Sequence, residues 1–290
     1  MTYSGNGFDA FIAIDFSGSK HSYLQKKHIV FAETEHKLTS PTVKSGFTRS
    51  TAILHLMERL QYHNVQRNRV LLGFDFCYSF PAGLWYSLTN TREVWGEMIK
   101  GMAEGLSGLP PIIEEPHSNA RLWAESANKK IAQSLNYPSG PFWGANFIQA
   151  RDPRFFSRSV PPFDEYRIVE KRLPRCKPVF KIGGKGSVGL QSLCGMPLLA
   201  RLQSLCLQEG TPIHAWPFEG WDFDKRNILV EWYPAIHNTD QKSDENDAVA
   251  CVEWAKSADA QGSLTRYFHP DLSVTEKAQA EFEGWVLGVT

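Results

Sequence analysis

The apolar run Phe11-Ile12-Ala13-Ile14 ends in a carboxylate, Asp15, and continues into Phe16-Ser17-Gly18-Ser19. Further along, Val70-Leu71-Leu72-Gly73-Phe74 ends in the same way, in Asp75. Each run reads as a buried strand. Burying an unpaired Asp is costly, so two strands with this ending imply that their carboxylates meet. Open α/β sheets bind ligands at the edge where parallel strands end. A third acidic station, Asp244-Glu245-Asn246-Asp247, opens a helix near the C-terminus. Asp244 and Asp247 are three apart and share one side of its first turn. Cys251 and Trp254 follow Asp247 at helical spacing, so that face abuts the sheet.

Carboxylates from separate elements aimed at one point are hard oxygen donors, suited to Mg²⁺ or Mn²⁺. Two such ions ~4 Å apart form the arrangement of two-metal hydrolysis. Acidic residues in a first helical turn also complement the helix dipole, which leaves a structural alternative for Asp244 and Asp247. Glu231, in Ile228-Leu229-Val230-Glu231-Trp232-Tyr233, is a candidate fourth metal ligand. Outward alternation or a Lys partner is the alternative there.

The elements that would position these groups follow from pattern. Strands are expected at residues 8–16, at Lys27–Glu33, and around Lys37–Lys44, where Pro41 confines the third to an edge or bulge. Thr48 is placed to cap a helix carrying Ile53, Leu56, Met57 and Leu60 at helical spacing. The strand at 70–76 then returns beside the first through that helix, giving a mixed sheet with the two Asp-ended strands parallel and adjacent. Residues 78–180 break the pattern and read as an inserted subdomain or lid within a single domain of residues 1–290. It holds helices at Asn90–Leu106, with Asn90 and Glu93 spaced as a capping box, and at Asn119–Leu135. A leucine-rich helix follows Lys181–Gly189, then strands at Ile213–Phe218 and Ile228–Tyr233. Helices from Ser243 to about Ala258 and from Glu276 to Leu287 close the chain.

The chain has 290 residues, 42% of them hydrophobic, with nine Trp and eighteen Phe to fill a core. No run reaches the ~18 apolar residues of a membrane span, and the N-terminus lacks a signal-peptide layout. Five cysteines, an odd number with no C-x-x-C pair, favour reduced thiols in a cytoplasmic protein over disulfides or a zinc site. The nine His show no ligand spacing, which gives a His-based metal site little support. Net charge is zero but uneven: ten Lys/Arg against four Asp/Glu over 151–185, and six against fifteen over 209–290. Such asymmetry fits a polyanion-binding face beside a metal-binding one, or simply two solvated surfaces.

Several short motifs together resemble domain-of-unknown-function family 429, a group of bacterial and archaeal proteins predicted to be RNase H-like nucleases. They are Ile14-Asp15, Gly73-Phe74-Asp75, Gly186-Ser187-Val188-Gly189-Leu190-Gln191, Val230-Glu231-Trp232-Tyr233-Pro234 and Asp244-x-x-Asp247-Ala248, in that order. The resemblance spans most of the chain and is weakest over 85–140. It implies an α/β fold, an RNase H-like mixed sheet flanked by helices, with the helical aromatic-rich stretch as an insertion. It places Asp15 on the first strand, Asp75 on the fourth, and Asp247 and Asp244 on the last helix as catalytic carboxylates. RNase H itself adds a Glu on its first helix, where this chain offers only Glu58, late in the helix. The implied activity is phosphodiester hydrolysis on nucleic acid with Mg²⁺ or Mn²⁺.

The basic turn Lys181-Ile182-Gly183-Gly184-Lys185-Gly186-Ser187 is a second signal. Lys181, Lys185 and Ser187, with Arg167 and Arg172 upstream, would contact substrate phosphates. The glycines alone also explain such a turn, and it is no Walker A loop. Aromatics crowd the insertion (Trp85, Trp95, Trp123, Phe142, Trp143, Phe147, Phe155, Phe156), where they build a small core or stack on bases. Two other classes remain in view. Actin-like ATPases and sugar kinases share this sheet, and Asp15-Phe16-Ser17-Gly18-Ser19 fits their first-strand turn faintly. A scaffold that binds nucleic acid or protein without chemistry is the third.

Overall fold

A computed structural model describes residues 7–106, 108–114, 118–135, 140–144, 163–173, 176–184, 186–224, 226–237 and 243–290. In chain order the elements are β1 (Ala10–Asp15), α1 (Ser22–His28), β2 (Val30–Glu35), β3 (Thr42–Lys44), α2 (Arg49–Val65) and β4 (Val70–Phe74). Then come α3 (Leu84–Thr89), α4 (Trp95–Glu104), α5 (Ala120–Ser134), α6 (Ile168–Arg172) and α7 (Gly189–Gln208). The chain closes with β5 (Ile213–Ala215), β6 (Asn227–Glu231), α8 (Asp244–Ala260), α9 (Leu264–Phe268) and α10 (Val274–Glu283). It divides into two compact units. The first is 1–76, 201–273 and 285–290; the second is 77–200 and 274–284. Residues 78–180 fall in the second unit, which also takes in the first part of α7 and all but the end of the last expected helix.

The first unit is α/β, with a mixed six-stranded sheet in the order β3-β2-β1-β4-β6-β5. β1 and β4 are buried along their whole length, as continuous apolar runs covered on both faces must be. They pair parallel, Ile14 opposite Phe74, while β2 pairs antiparallel with β1, Asp15 opposite Val30. β6 runs parallel to β4, and β5 parallel to β6. The edge position of β3 suits Pro41 at its entry.

Register assigns the faces, because partnered residues point the same way. Glu33, opposite Ile12, reaches α2: Arg59 donates to it at 2.8 Å and His63 lies 2.8 Å away. Burial alone would raise the Glu33 carboxyl, but the His63 and Arg59 hydrogen bonds hold it down at about 2. α2 therefore covers the face of Ile12, Ile14 and Phe74. α8 covers the other, where Trp232 meets Trp254 edge-on at 6.3 Å and His36, packed on Phe11, bonds Asp259 at 2.9 Å.

α2 begins at the expected cap: Thr48 accepts from the Thr51 amide, and Thr51 returns the bond. It ends in a Schellman turn, with Asn68 N–H on the His63 carbonyl and Arg67 N–H on the Asn64 carbonyl. The left-handed residue of that turn is Arg67, at φ 58, where glycine would cost nothing.

Three expectations give way. The second strand begins at Val30, not Lys27, because residues 22–28 form α1. That stretch has no β-branched residue, and Lys26, Lys27 and His28 suit a helix C-terminus. The capping box at Asn90 and Glu93 is split. Asn90 ends α3 in a left-handed turn, while Glu93 accepts the Gly83 and Tyr86 amides at its start. The next helix begins only at Trp95. The last helix, expected at Glu276–Leu287, starts earlier and stops at Glu283.

The second unit is helical around an aromatic core. Phe80 stacks on Trp123 and on Phe180, each at 6.2 Å, with Phe142 set edge-on. Trp85 and Trp95 are also buried, and Trp95 donates to the Tyr78 carbonyl at 2.8 Å. These rings fill a core. Phe147, Phe155 and Phe156 lie outside the described residues.

Gly73 is where the sheet tolerates least. A Cβ there would collide with the Val230 carbonyl oxygen and with the Trp232 indole, 2.8 Å away. Gly73→Ala is expected to lower stability by about 1–3 kcal/mol, the usual cost of overpacking, in urea denaturation. An unchanged midpoint would show that the indole and strand yield freely.

Candidate carboxylate site

Every part of this site belongs to the first unit. The Ile14/Phe74 pairing carries Asp15 and Asp75 to the same sheet edge, one residue beyond matched strand positions. Asp75 is anchored to that edge through its side chain: Oδ1 accepts the Phe16 amide at 2.7 Å. Its own amide bonds the Ile14 carbonyl at 3.3 Å. α8 delivers the other two carboxylates. Ser243 caps it by accepting the Asn246 amide, and Asp244 and Asp247 stand in its first turn. Cys251, one turn on, is fully buried, as expected for a face turned to the sheet.

Electrostatics show that the four carboxylates converge. Asp15 is buried, 9% exposed. Burial pushes its carboxyl up to about 10, helped by the charges of Asp75, Asp244 and Asp247. The Cys251 thiol is raised too, by burial and then by Asp75, Asp247 and Asp15. Asp15 is thus neutral at neutral pH when no cation is present. Among the described residues, no three His, Cys, Asp or Glu side chains stand as a preformed metal-binding group. Protein partners already hold two of the four: Phe16 N–H binds Asp75, and His28 Nδ1 lies 2.7 Å from Asp244 Oδ2.

Glu231 does not join them. It is opposite Phe74, so it belongs to the α2 face, while Asp15 and Asp75 belong to the α8 face. Glu58 pairs with His55 at 3.2 Å on the exposed side of α2. The expected phosphate contacts lie in the second unit. Arg167 is buried there, with its Nε on Glu170 at 2.9 Å and Nη1 on the Glu283 carbonyl at 3.0 Å. It serves the core and is withdrawn from solvent, which corrects its reading as a phosphate ligand. Arg172 pairs with Glu276 at 2.8 Å, and Lys181 Nζ lies 5.8 Å from the Trp143 ring centroid. The Ser187 amide closes a turn onto the Gly184 carbonyl. Lys185 lies outside the described residues.

No family model, curated protein or solved structure matches the chain significantly.

Three residues that spacing did not single out shape the site. Arg49, fully buried at the start of α2, donates Nη1 to the carbonyls of Ser17 and Ser19 at 2.8 and 2.7 Å. Gln25 donates to Ser19 O at 2.9 Å and accepts the Arg49 amide at 3.1 Å. Together they pin the loop that follows Asp15. His28 arrives from the end of α1 because β2 folds back beside Asp15, a placement only pairing creates.

The raised Asp15 carboxyl has a stability consequence. Between 3.8 and about 10 the folded chain holds a proton there that the unfolded chain releases. Stability conferred at this site therefore falls as pH rises through that window. Without divalent ions, Asp15→Asn should melt higher than wild type at pH 7, with a gap that widens from pH 5 to pH 9. Calorimetric melting across that range checks it. A variant less stable at every pH would mean that Asp15 ionises freely in the fold.

Proposed function

We propose that this chain is an RNase H-like hydrolase that cleaves phosphodiester bonds in nucleic acid with Mg²⁺ or Mn²⁺. The observation that carries the reading is the convergence of Asp75, Asp244 and Asp247 on a buried, proton-holding Asp15. The strand order supports it: a meander of three strands, then a helix that returns β4 parallel to β1. The donor set fits the cofactor, being all carboxylate oxygen, the choice of hard divalent ions. Asp15, Asp75, Asp247 and Asp244 would hold the two ions. Bound there, such ions supply Lewis acidity toward water and positive charge against the charge that develops on a phosphoryl group.

The chain's own residues prepare that chemistry. Asp15 must give up its proton before it can act as an anionic ligand. The Phe16 amide fixes the rotamer of Asp75, and His28 fixes that of Asp244. Arg49 and Gln25 hold the Ser17–Ser19 loop beside the edge, so that its geometry is set before substrate arrives. One observation favours a non-catalytic scaffold instead. The Asp75–Phe16 bond is itself a sufficient structural use for Asp75.

The two readings separate in one experiment. Mn²⁺ titrated calorimetrically, with a nucleic-acid oligonucleotide present, should bind saturably to wild type and not to Asp15→Asn. Cleavage of single-stranded or duplex substrates should fall in the variant by at least ~10²-fold, the upper end of what losing a mere outer-shell partner of a metal ligand costs. Equal Mn²⁺ binding and cleavage in both proteins would refute the assignment. Binding of nucleic acid without Mn²⁺ dependence or turnover would favour the scaffold.

A further inference from the structure

The parallel strands leave a second edge, at their amino ends, away from the carboxylates. There the turn after α2, the entry to β4 and the approach to β6 line a cavity of about 520 Å³. Its walls include Arg67, Arg69 and Arg226 beside Asn64, Asn227 and Asp224. Sites for small molecules have volumes of roughly 300–1,000 Å³.

Two of the guanidinium groups are fixed in place. Arg69 donates Nε to the Arg226 carbonyl at 3.0 Å and Nη2 to the Asp224 carbonyl at 2.7 Å, and lies 4.5 Å from the Phe8 ring centroid. Arg226 donates Nε to Asp224 Oδ1 at 2.9 Å, and its Nη2 lies 3.0 Å from His214 Nδ1. His214 is buried, with Nε2 3.0 Å from the Gly220 carbonyl. A carbonyl only accepts, so Nε2 carries the proton and Nδ1 is left as the acceptor that Arg226 needs. Among the described residues, nothing accepts from Nη1 of Arg226 or from the Arg67 guanidinium. Arg67 keeps a left-handed backbone, φ 58, at the one position of its turn that glycine would fill without strain.

Charge at this edge favours an anion. Three guanidinium groups and one carboxylate, Asp224, line the cavity, and Asp9 and Asp259 also act on Arg69 from outside that lining. Within the cavity lining itself, the arginines outnumber the carboxylate three to one. Guanidinium forks with unused N–H groups match the oxygens of a phosphate.

We propose that this cavity binds the phosphate group of a small phosphorylated ligand. It is a site separate from the carboxylates, with roughly 20 Å of strand between Arg69 and Asp75. The donors converge on one concavity, which suits a compact ligand. The inference does not rest on the metal-dependent reading of the other edge.

Calorimetric titration of the full chain with inorganic phosphate, adenosine monophosphate and glucose 6-phosphate tests it. Asn tolerates a left-handed backbone, so Arg67→Asn keeps the turn, which its melting curve verifies. At least one of the three compounds should bind saturably, about tenfold more weakly in Arg67→Asn and equally in Asp15→Asn. Binding of all three would identify the phosphate itself as the group recognised; binding of one alone would name its source. No binding at millimolar concentration, or binding indifferent to Arg67→Asn, overturns the proposal. Binding lost in Asp15→Asn also overturns it, since the phosphate would then sit at the carboxylate edge.

Discussion

When β1 and β4 run parallel and in step from Ala10 and Val70 to Ile14 and Phe74, the next residue on each strand is an Asp at the same edge. Nothing about either strand alone requires a carboxylate there, and burial penalises it. The register makes two separate costs into one shared electrostatic problem, which α8 deepens by adding Asp244 and Asp247. The fold could relieve it by exposing Asp15 or by pairing it with a cation. Asp15 stays buried and keeps its proton, and the buried Arg49 guanidinium donates to the carbonyls of Ser17 and Ser19. Under the proposed reading, this shared negative charge is what a divalent cation would balance.

Gly73 shows how far the surrounding strands are committed to that register. Its missing Cβ lets Trp232 lie across β4 with its indole N–H 3.4 Å from the Ile12 carbonyl, while its ring meets Trp254 of α8. β1, β4, β6 and α8 are thus tied by one side chain two residues below the carboxylate row. The site sits on a rigid floor, and its tunable parts are the loop after Asp15 and the first turn of α8.

The strand ends and the α8 face were legible because each depends on local pattern: an apolar run, a terminal Asp, a helical repeat of Asp247, Cys251 and Trp254. The parallel adjacency of β1 and β4 followed from the intervening helix. What stayed hidden depends on pairing across the chain. His28 reaches Asp244 only because β2 folds back on β1, and α1 itself was obscured by its short, lysine-rich sequence. Glu231 was misread for the opposite reason. Embedding in an apolar strand shows burial, but only the register with Phe74 reveals which face a side chain takes. Arg167 looked like part of a basic surface, and its burial against Glu170 and the Glu283 carbonyl could not be seen in charge counts.

Chain direction explains why the sheet has edges of opposite character. α8 runs antiparallel to β1, from Asp244 beside His28 to Asp259, which accepts the Phe8 amide at 3.4 Å. α2 does the same, from Arg49 at the Ser17–Ser19 loop to the turn at Arg67. Both helices therefore point their positive ends toward the edge that carries the carboxylates. Their negative ends lie toward the edge that carries Arg67, Arg69 and Arg226. Dipoles alone would favour these side chains in these places, so charge placement by itself argues only for a stable fold. The argument for function rests on what exceeds that need. A first-turn Asp satisfies a dipole without forcing a proton onto Asp15, and one arginine would answer a helix C-terminus without three lining a cavity. The clustered carboxylates at one edge and the three arginines lining one cavity at the other are what the helices do not account for.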